Sequence, residues 1–166
     1  MIMVYLLSKQ SRAEHRNATC ERLQAELDPM PIHKILFTIP NFLTAGSGRA
    51  MLNVAERLDP SRFAPSICVA KPGGALCEEV ERLGIPLIVA PFVVAPRPLA
   101  TLPFRAWRCA QKFRRYGFDL WHSFHYLDDY TEPVIARLAG AKAWVYTKKN
   151  MNWRRRSWLL RTWLAS

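Results

Sequence analysis

Acidic residues are scarce in this chain of 166 residues: 13 Asp and Glu stand against 24 Lys and Arg, a formal net charge of +11. The shortage is uneven. Residues 1–96 hold 10 basic and 9 acidic groups, and residues 97–166 hold 14 basic and 4 acidic groups. Such asymmetry asks for an anionic partner in the second part: acidic lipid, nucleic acid or a phosphorylated substrate. No nucleic-acid motif accompanies the charge, so no nucleic acid is expected. A generally basic surface is the plainer alternative.

Long hydrophobic runs are missing too. No apolar run approaches the roughly 18 residues of a spanning helix. Met1–Leu7 is apolar but short and leads into Ser8-Lys9-Gln10-Ser11-Arg12. It lacks a basic n-region and a small-residue cleavage site, so no signal peptide is read. The expected location is cytoplasmic, peripheral at the inner face of the membrane. The four cysteines, Cys20, Cys68, Cys77 and Cys109, are far apart with no CxxC. That spacing excludes a zinc ribbon and favours free thiols in a reducing compartment. Internal repeats and low-complexity tracts are absent.

What is present is a hydrophobic half of the composition, enough for one domain with a core. The organising stretch runs from Lys34 to Leu58. A continuously apolar run, Lys34–Ile39, meets a glycine-bearing loop and then a helix, Gly48–Leu58, with Met51, Leu52, Val54, Ala55 and Leu58 apolar. Unbroken apolar runs mark buried parallel strands, and i, i+3, i+4, i+7 spacing marks an amphipathic helix.

The same alternation continues. Strands are predicted at Pro65–Ala70, Pro86–Ala90, Phe118–Ser123 and Ala143–Thr147. Helices are predicted at Ala75–Leu83, Leu102–Tyr116, Tyr130–Leu138 and Asn152–Leu164. This pattern predicts a single α/β domain, a Rossmann-like doubly wound parallel sheet with strand order 3-2-1-4-5. The switch point then lies between the first and fourth strands, where the loops Thr44–Arg49 and His122–Asp129 should meet. Residues 1–33 read as a leader, poorly ordered or with one short helix at Ala13–Leu27. Met30 lies just ahead of the first strand, so translation starting at Met30 rather than Met1 is a further expectation.

Three stretches could carry chemistry. Gly46, Ser47, Gly48 and Arg49 at a helix N-terminus can offer backbone N–H groups to a phosphate; a tight turn alone would also need the glycines. They form neither a dinucleotide fingerprint, because Met51 stands where a third glycine is required, nor a Walker loop. Past the fourth strand, His122, His125, Asp128, Asp129 and Glu132 gather where ligands bind in open α/β sheets. His122 and His125 can bond hydroxyls or transfer a proton near neutral pH. A metal held by His122, His125 and Asp128 would match no strong ligand pattern, so none is expected. His122 alternates with Trp121, and one of the pair should simply pack under a helix. After the fifth strand, Lys148, Lys149 and Asn150 face the crevice side or form a solvated loop. Two basic stretches (Arg105, Arg108, Lys112, Arg114, Arg115 and Arg154, Arg155, Arg156, Arg161) are interleaved with Trp107 and with Trp153, Trp158 and Trp163. Basic faces beside aromatic residues suit an anionic membrane surface.

From Lys34 to about Trp163 the chain resembles the N-terminal, acceptor-side domain of GT-B glycosyltransferases of the family 4, or group 1, type. The residues that carry this are Lys34-Ile-Leu-Phe-Thr-Ile-Pro40, the glycine loop ending in Gly48, and Leu52-Asn-Val-Ala-Glu-Arg-Leu58. Lys71-Pro-Gly-Gly74 with Leu83-Gly-Ile-Pro86, and Phe118-Asp-Leu-Trp-His122 with Ala136-Arg-Leu-Ala-Gly140, complete the set. The resemblance implies sugar transfer from a nucleotide-sugar co-substrate, with no other cofactor, to a glycan or lipid-linked acceptor. It implies that Gly46 to Arg49 approach the donor phosphate and that His122 or His125 is catalytic. Asp128, Asp129, Lys148, Lys149 and Asn150 are the acceptor-side candidates. The family's C-terminal domain binds the nucleotide sugar and carries a Glu-rich motif. These 166 residues stop before it, so transfer is expected to need a donor domain from a downstream segment or a separate chain. Two local departures stand out. The family often shows His-x-His where this chain has His122-Ser-Phe124-His125, and adjacent glycines where it has Gly46-Ser-Gly48. The second expectation is a non-catalytic membrane- or partner-binding module on the same fold.

Overall fold

A computed structural model of the chain describes residues 31–43, 45–124 and 130–147. The leader and the helix predicted at Asn152–Leu164 lie outside the described residues. The elements run β1 (His33–Ile39), α1 (Ala45–Glu56), β2 (Phe63–Val69), α2 (Leu76–Arg82), β3 (Leu87–Val89), a 3₁₀ turn (Leu99–Thr101), α3 (Leu102–Arg114), β4 (Leu120–Ser123), α4 (Thr131–Leu138) and β5 (Ala143–Tyr146).

All five strands are parallel, in the order β3-β2-β1-β4-β5. This is the Rossmann-like sheet expected from the alternation of apolar runs and amphipathic helices. The third strand is shorter than predicted because Pro86, with no N–H, cannot donate to the ladder; its carbonyl accepts from Ile67 N at 2.9 Å instead.

Period-2 alternation along β1 splits the core in two. Ile35, Phe37 and Ile39 pack with Met51, Leu52 and Ala55 of α1 and with Leu76 and Val80 of α2. Leu36 points the other way and joins Cys68, Trp121, the α3 residues Ala106, Cys109, Ala110 and Phe113, and Ile135 and Ala136 of α4. Leu36, Ile67, Val69 and Trp121 are fully buried. Truncating such a residue to Ala costs about 2–5 kcal/mol. These two cores fix β1 and β4 at the centre of the sheet, and so fix what lies at their ends.

At the amino ends, Asp119 ties three strands together. Its carboxylate accepts from Lys142 Nζ at 2.7 Å and from the Lys34 amide at 3.0 Å, with His33 Nδ1 at 3.9 Å. At the carboxyl ends the loops are stitched by the backbone. Pro40 O accepts from Ala70 N and Lys71 N, Thr38 O from Phe124 N, and Ser123 O from Thr147 N. Gly74 lies against the loop after β1, at a φ of 108°; a Cβ there would come within 2.8 Å of the Phe42 carbonyl oxygen. Both the backbone sign and the close approach require glycine.

Candidate functional site at the carboxyl ends of β1 and β4

The strand order reverses between β1 and β4, so their carboxyl ends open the crevice where a doubly wound sheet takes its ligand. Phe37 lies opposite His122 and Thr38 opposite Ser123 in the register. His122 is half-buried on the α1 side. Its ring packs against Phe37 and Phe124, with centroids 5.4 and 4.4 Å away, and its Nε2 lies 2.9 Å from Thr147 Oγ1. That contact orients the imidazole, and the tautomer decides which partner donates. Trp121 faces the other way, fully buried and edge-on to Phe113 at 4.9 Å. Of the alternating pair, Trp121 is the one that packs under helices.

Behind this edge sits a residue whose burial the sequence reading missed. Glu132, in the first turn of α4, is fully buried. Its Oε1 accepts from Thr38 Oγ1 at 2.5 Å and from Trp121 Nε1 at 2.9 Å. A buried carboxylate must be hydrogen-bonded to be tolerated, and the positive end of a helix favours it. Glu132 therefore clamps the end of β1, the middle of β4 and the start of α4. A sequence signal existed: Glu132 shares i, i+3, i+4, i+7 spacing with Ile135, Ala136 and Ala139, the buried face of the helix. Next to Thr38, the Ser123 hydroxyl is buried with no hydrogen-bond partner among the described residues.

The glycine stretch differs from its expected form. Helix α1 begins at Ala45, not Gly48, so Gly46, Ser47, Gly48 and Arg49 occupy its first turns rather than a loop. The two glycines have unlike surroundings. Gly46 is exposed, with open space where a Cβ would stand. Gly48 is buried, and a Cβ there would come within 2.5 Å of Leu76 Cδ1 and 3.0 Å of Phe42 Cδ1. Gly48 lets α1 close onto α2, whereas Gly46 has no packing reason to be glycine. Arg49 is bonded through Nη1 to Glu79 Oε1 of α2. This pairing raises the guanidinium pKa and holds the Glu79 carboxyl below its usual range.

His125, Asp128, Asp129, Lys148, Lys149 and Asn150 lie outside the described residues, so of the expected set the structure describes only His122, in β4, and Gly46–Arg49, in the first turns of α1. Among the described residues, no group of three His, Cys, Asp or Glu could hold a metal ion. Likewise, no described helix is long and apolar enough to cross a membrane.

Residues 44–166, well over half of the chain, match the family model described as Glycosyltransferase Family 4. The chain belongs to Glycosyltransferase Family 4. Solved glycosyltransferases share the fold of this family 4 chain. A glycosyltransferase from Rickettsia africae ESF-5 superposes with a TM-score of 0.57 at 20% identity, over 75% of this chain and 32% of that one. MurG of Acinetobacter baumannii gives 0.53 at 19%, over 80% and 39%. HepE of Anabaena, solved with UDP and glucose, gives 0.53 at 18%, over 80% and 35%. This family 4 chain thus spans about a third of the length of the structures it matches. No curated protein matches it by sequence.

Proposed function

We propose that this chain is the acceptor-side half of a glycosyltransferase that moves a sugar from a nucleotide-sugar donor to a glycan or lipid-linked acceptor. The observation that carries the reading is a half-buried, oriented histidine at the carboxyl end of a central strand, within a family 4 domain. In this reading His122, or His125 three residues on, contacts the acceptor hydroxyl and the sugar being joined. A neutral imidazole there can accept the proton of that hydroxyl as its oxygen bonds to the anomeric carbon and the bond from that carbon to the departing nucleotide diphosphate breaks. The backbone N–H groups around the exposed Gly46 and Ser47 approach the donor phosphate, as the first turn of a helix is suited to do. Asp128, Asp129, Lys148, Lys149 and Asn150 bind the acceptor. The nucleotide is held by a donor domain outside these 166 residues, in a downstream segment or a separate chain. The HepE relative, solved with UDP and glucose, supports the kind of donor. The chain works in the cytoplasm, peripheral to a membrane.

The test is direct. The native gene product, together with any chain that copurifies with it, and the isolated 166-residue chain are each incubated with radiolabelled nucleotide sugars and with glycan and lipid acceptors. Transfer by the native product and none by the isolated chain is expected. Enzyme-like turnover by the 166 residues alone contradicts the half-enzyme reading, and no transfer by either contradicts the reaction. A non-catalytic module is the second reading. It is favoured by Gly48 and Arg49, both of which are occupied with packing and pairing inside the fold.

A further inference from the structure

Among the described residues β3 closes one side of the sheet. Its inner edge is paired with β2: Pro86 O accepts from Ile67 N at 2.9 Å, and Ala90 N donates to Val69 O at 3.0 Å. In a parallel ladder alternate residues face the neighbouring strand. Pro86, Ile88 and Ala90 therefore face β2, and Leu87 and Val89 turn their N–H and C=O groups outward. Natural edges are blunted by a charged side chain, a proline, a bulge or shortness. Leu87-Ile88-Val89 has neither charge nor proline, and its register with β2 is unbroken. Only its shortness guards it, and Val89 is 53% exposed.

Two open grooves flank this edge and meet at Ile88 and Tyr116, which line both. One, of about 500 Å³, runs beside Leu87–Pro91 and carries Lys112 and Arg115. The other, of about 510 Å³, continues past Pro86 toward Lys34 at the start of β1. The three cations are exposed, and no carboxylate lines either groove among the described residues. Nor does the chain carry any acidic residue between Glu81 and Asp119. Tyr116, at the junction, is held in place. Arg115 Nη2 donates to its hydroxyl at 3.0 Å, Lys34 Nζ donates to its carbonyl at 3.2 Å, and its ring stacks on Phe118. The two faces of β3 differ. Ile88 and Ala90 pack on the α3 side, whereas Leu87 packs with the core under α1 and α2.

We propose that the free edge of β3 takes an extended segment of a partner protein as an added strand, with acidic and apolar side chains in alternation. The outward backbone groups of Leu87 and Val89 bond to the segment, as in other cases of strand addition. Period-2 alternation sends every second side chain of the guest to the α3 side, where acidic groups meet Lys112 and Arg115. The others lie on the opposite side, against Leu87 and Val89, and are apolar. Charge selects this occupant over a second copy of the chain, which would set Lys112 and Arg115 close to their own counterparts. The inference concerns an edge remote from the candidate site and stands whether or not the transferase reading holds.

The test uses the full native protein and a fluorescent peptide alternating Glu and Val over about six residues, the length of an ordinary strand. Saturable binding by anisotropy, weakened by salt, is expected, with none for a Lys–Val peptide. On binding, amide exchange should slow at Leu87 and Val89 and stay as it was at Ile88, which already faces β2. Lys112→Gln with Arg115→Gln should weaken binding about tenfold, as for two exposed ion pairs. Two N-methylated peptides, one blocked at every Glu and one at every Val, keep the charge and need no variant to fold. Only one edge of the guest can meet β3, so one of them should lose at least about tenfold and the other should not. Failure of the Glu–Val peptide to bind overturns the proposal. So does binding that leaves exchange at Leu87 and Val89 unchanged, or that tolerates both methylated peptides. Slow exchange at both amides before peptide is added overturns it as well, because the edge is then already paired by this chain or by a second copy.

Discussion

The two ends of the sheet treat charge in opposite ways. At the amino ends, Asp119 is met by a cation and a backbone amide, partly exposed to water. Its Lys142 partner first, and then the Lys34 amide, hold its carboxyl below the usual range. At the carboxyl ends, Glu132 is fully buried and its Oε1 accepts from two neutral donors, Thr38 and Trp121. On the opposite face of the sheet lies the half-buried His122, against Phe37 and Phe124. The first arrangement settles a surface charge and joins β1, β4 and β5. The second is costly to build and rigidifies the backbone at the place where a doubly wound sheet binds ligands. Both groups hold the fold, Asp119 near the surface and Glu132 in the core at the end that carries the candidate site.

The largest effect should come from breaking the clamp. Glu132→Ala leaves Thr38 Oγ1 and Trp121 Nε1 buried without their shared acceptor and opens a cavity, a loss of about 3–5 kcal/mol in urea unfolding. Glu132→Gln keeps an acceptor oxygen and should cost about 1–2 kcal/mol. A Glu132→Ala loss no bigger than that of a surface substitution would show that the clamp is unimportant.

How legible this was depends on the element. The parallel sheet could be read because unbroken apolar runs such as Lys34–Ile39 alternate with helices, and β3-β2-β1-β4-β5 is one of the common orders for that alternation. Alternation showed that Trp121 and His122 face opposite sides, but not which side each takes; that depends on Phe113 and Phe37, contributed by distant segments. The helical spacing of Glu132 with Ile135 and Ala136 carried a signal of burial that the reading of the sequence passed over. Its partner Thr38, ninety-four positions away, was not announced by anything local. The start of α1 was misplaced because two glycines read as loop. In the structure Gly48 earns its place by packing on Leu76 and Phe42.

That packing supplies the next prediction. Gly48→Ala should destabilise by about 1–2 kcal/mol, because Phe42 and Leu76 must both shift. At the amino ends, Asp119→Asn should cost about 1 kcal/mol and remove a pH dependence. The folded carboxyl has a lowered pKa. Its contribution is therefore full above the unfolded value near about 3.9 and fades as pH falls below that through the folded pKa. Unfolding of parent and variant from about pH 3 to 7 should converge only at the acid end. A constant difference across that range would assign the effect to something other than Asp119 ionisation.

The smallest shift sharpens the contrast within one turn. Gly46→Ala should stabilise slightly, by about 0.5 kcal/mol, since its Cβ enters open space in a helix. If the Gly46 backbone meets the donor phosphate, this variant should lower transfer while raising thermal stability. A parallel rise in both would remove Gly46 from the donor site.

The most direct test of the central claim is the transfer rate of His122→Ala in the native protein, measured beside its unfolding free energy. The carboxyl-edge site predicts a rate loss of about 100-fold or more, with a stability change near the 1 kcal/mol scale of one lost hydrogen bond. A rate equal to the parent's for His122→Ala and for His125→Ala alike, at unchanged stability, would contradict it.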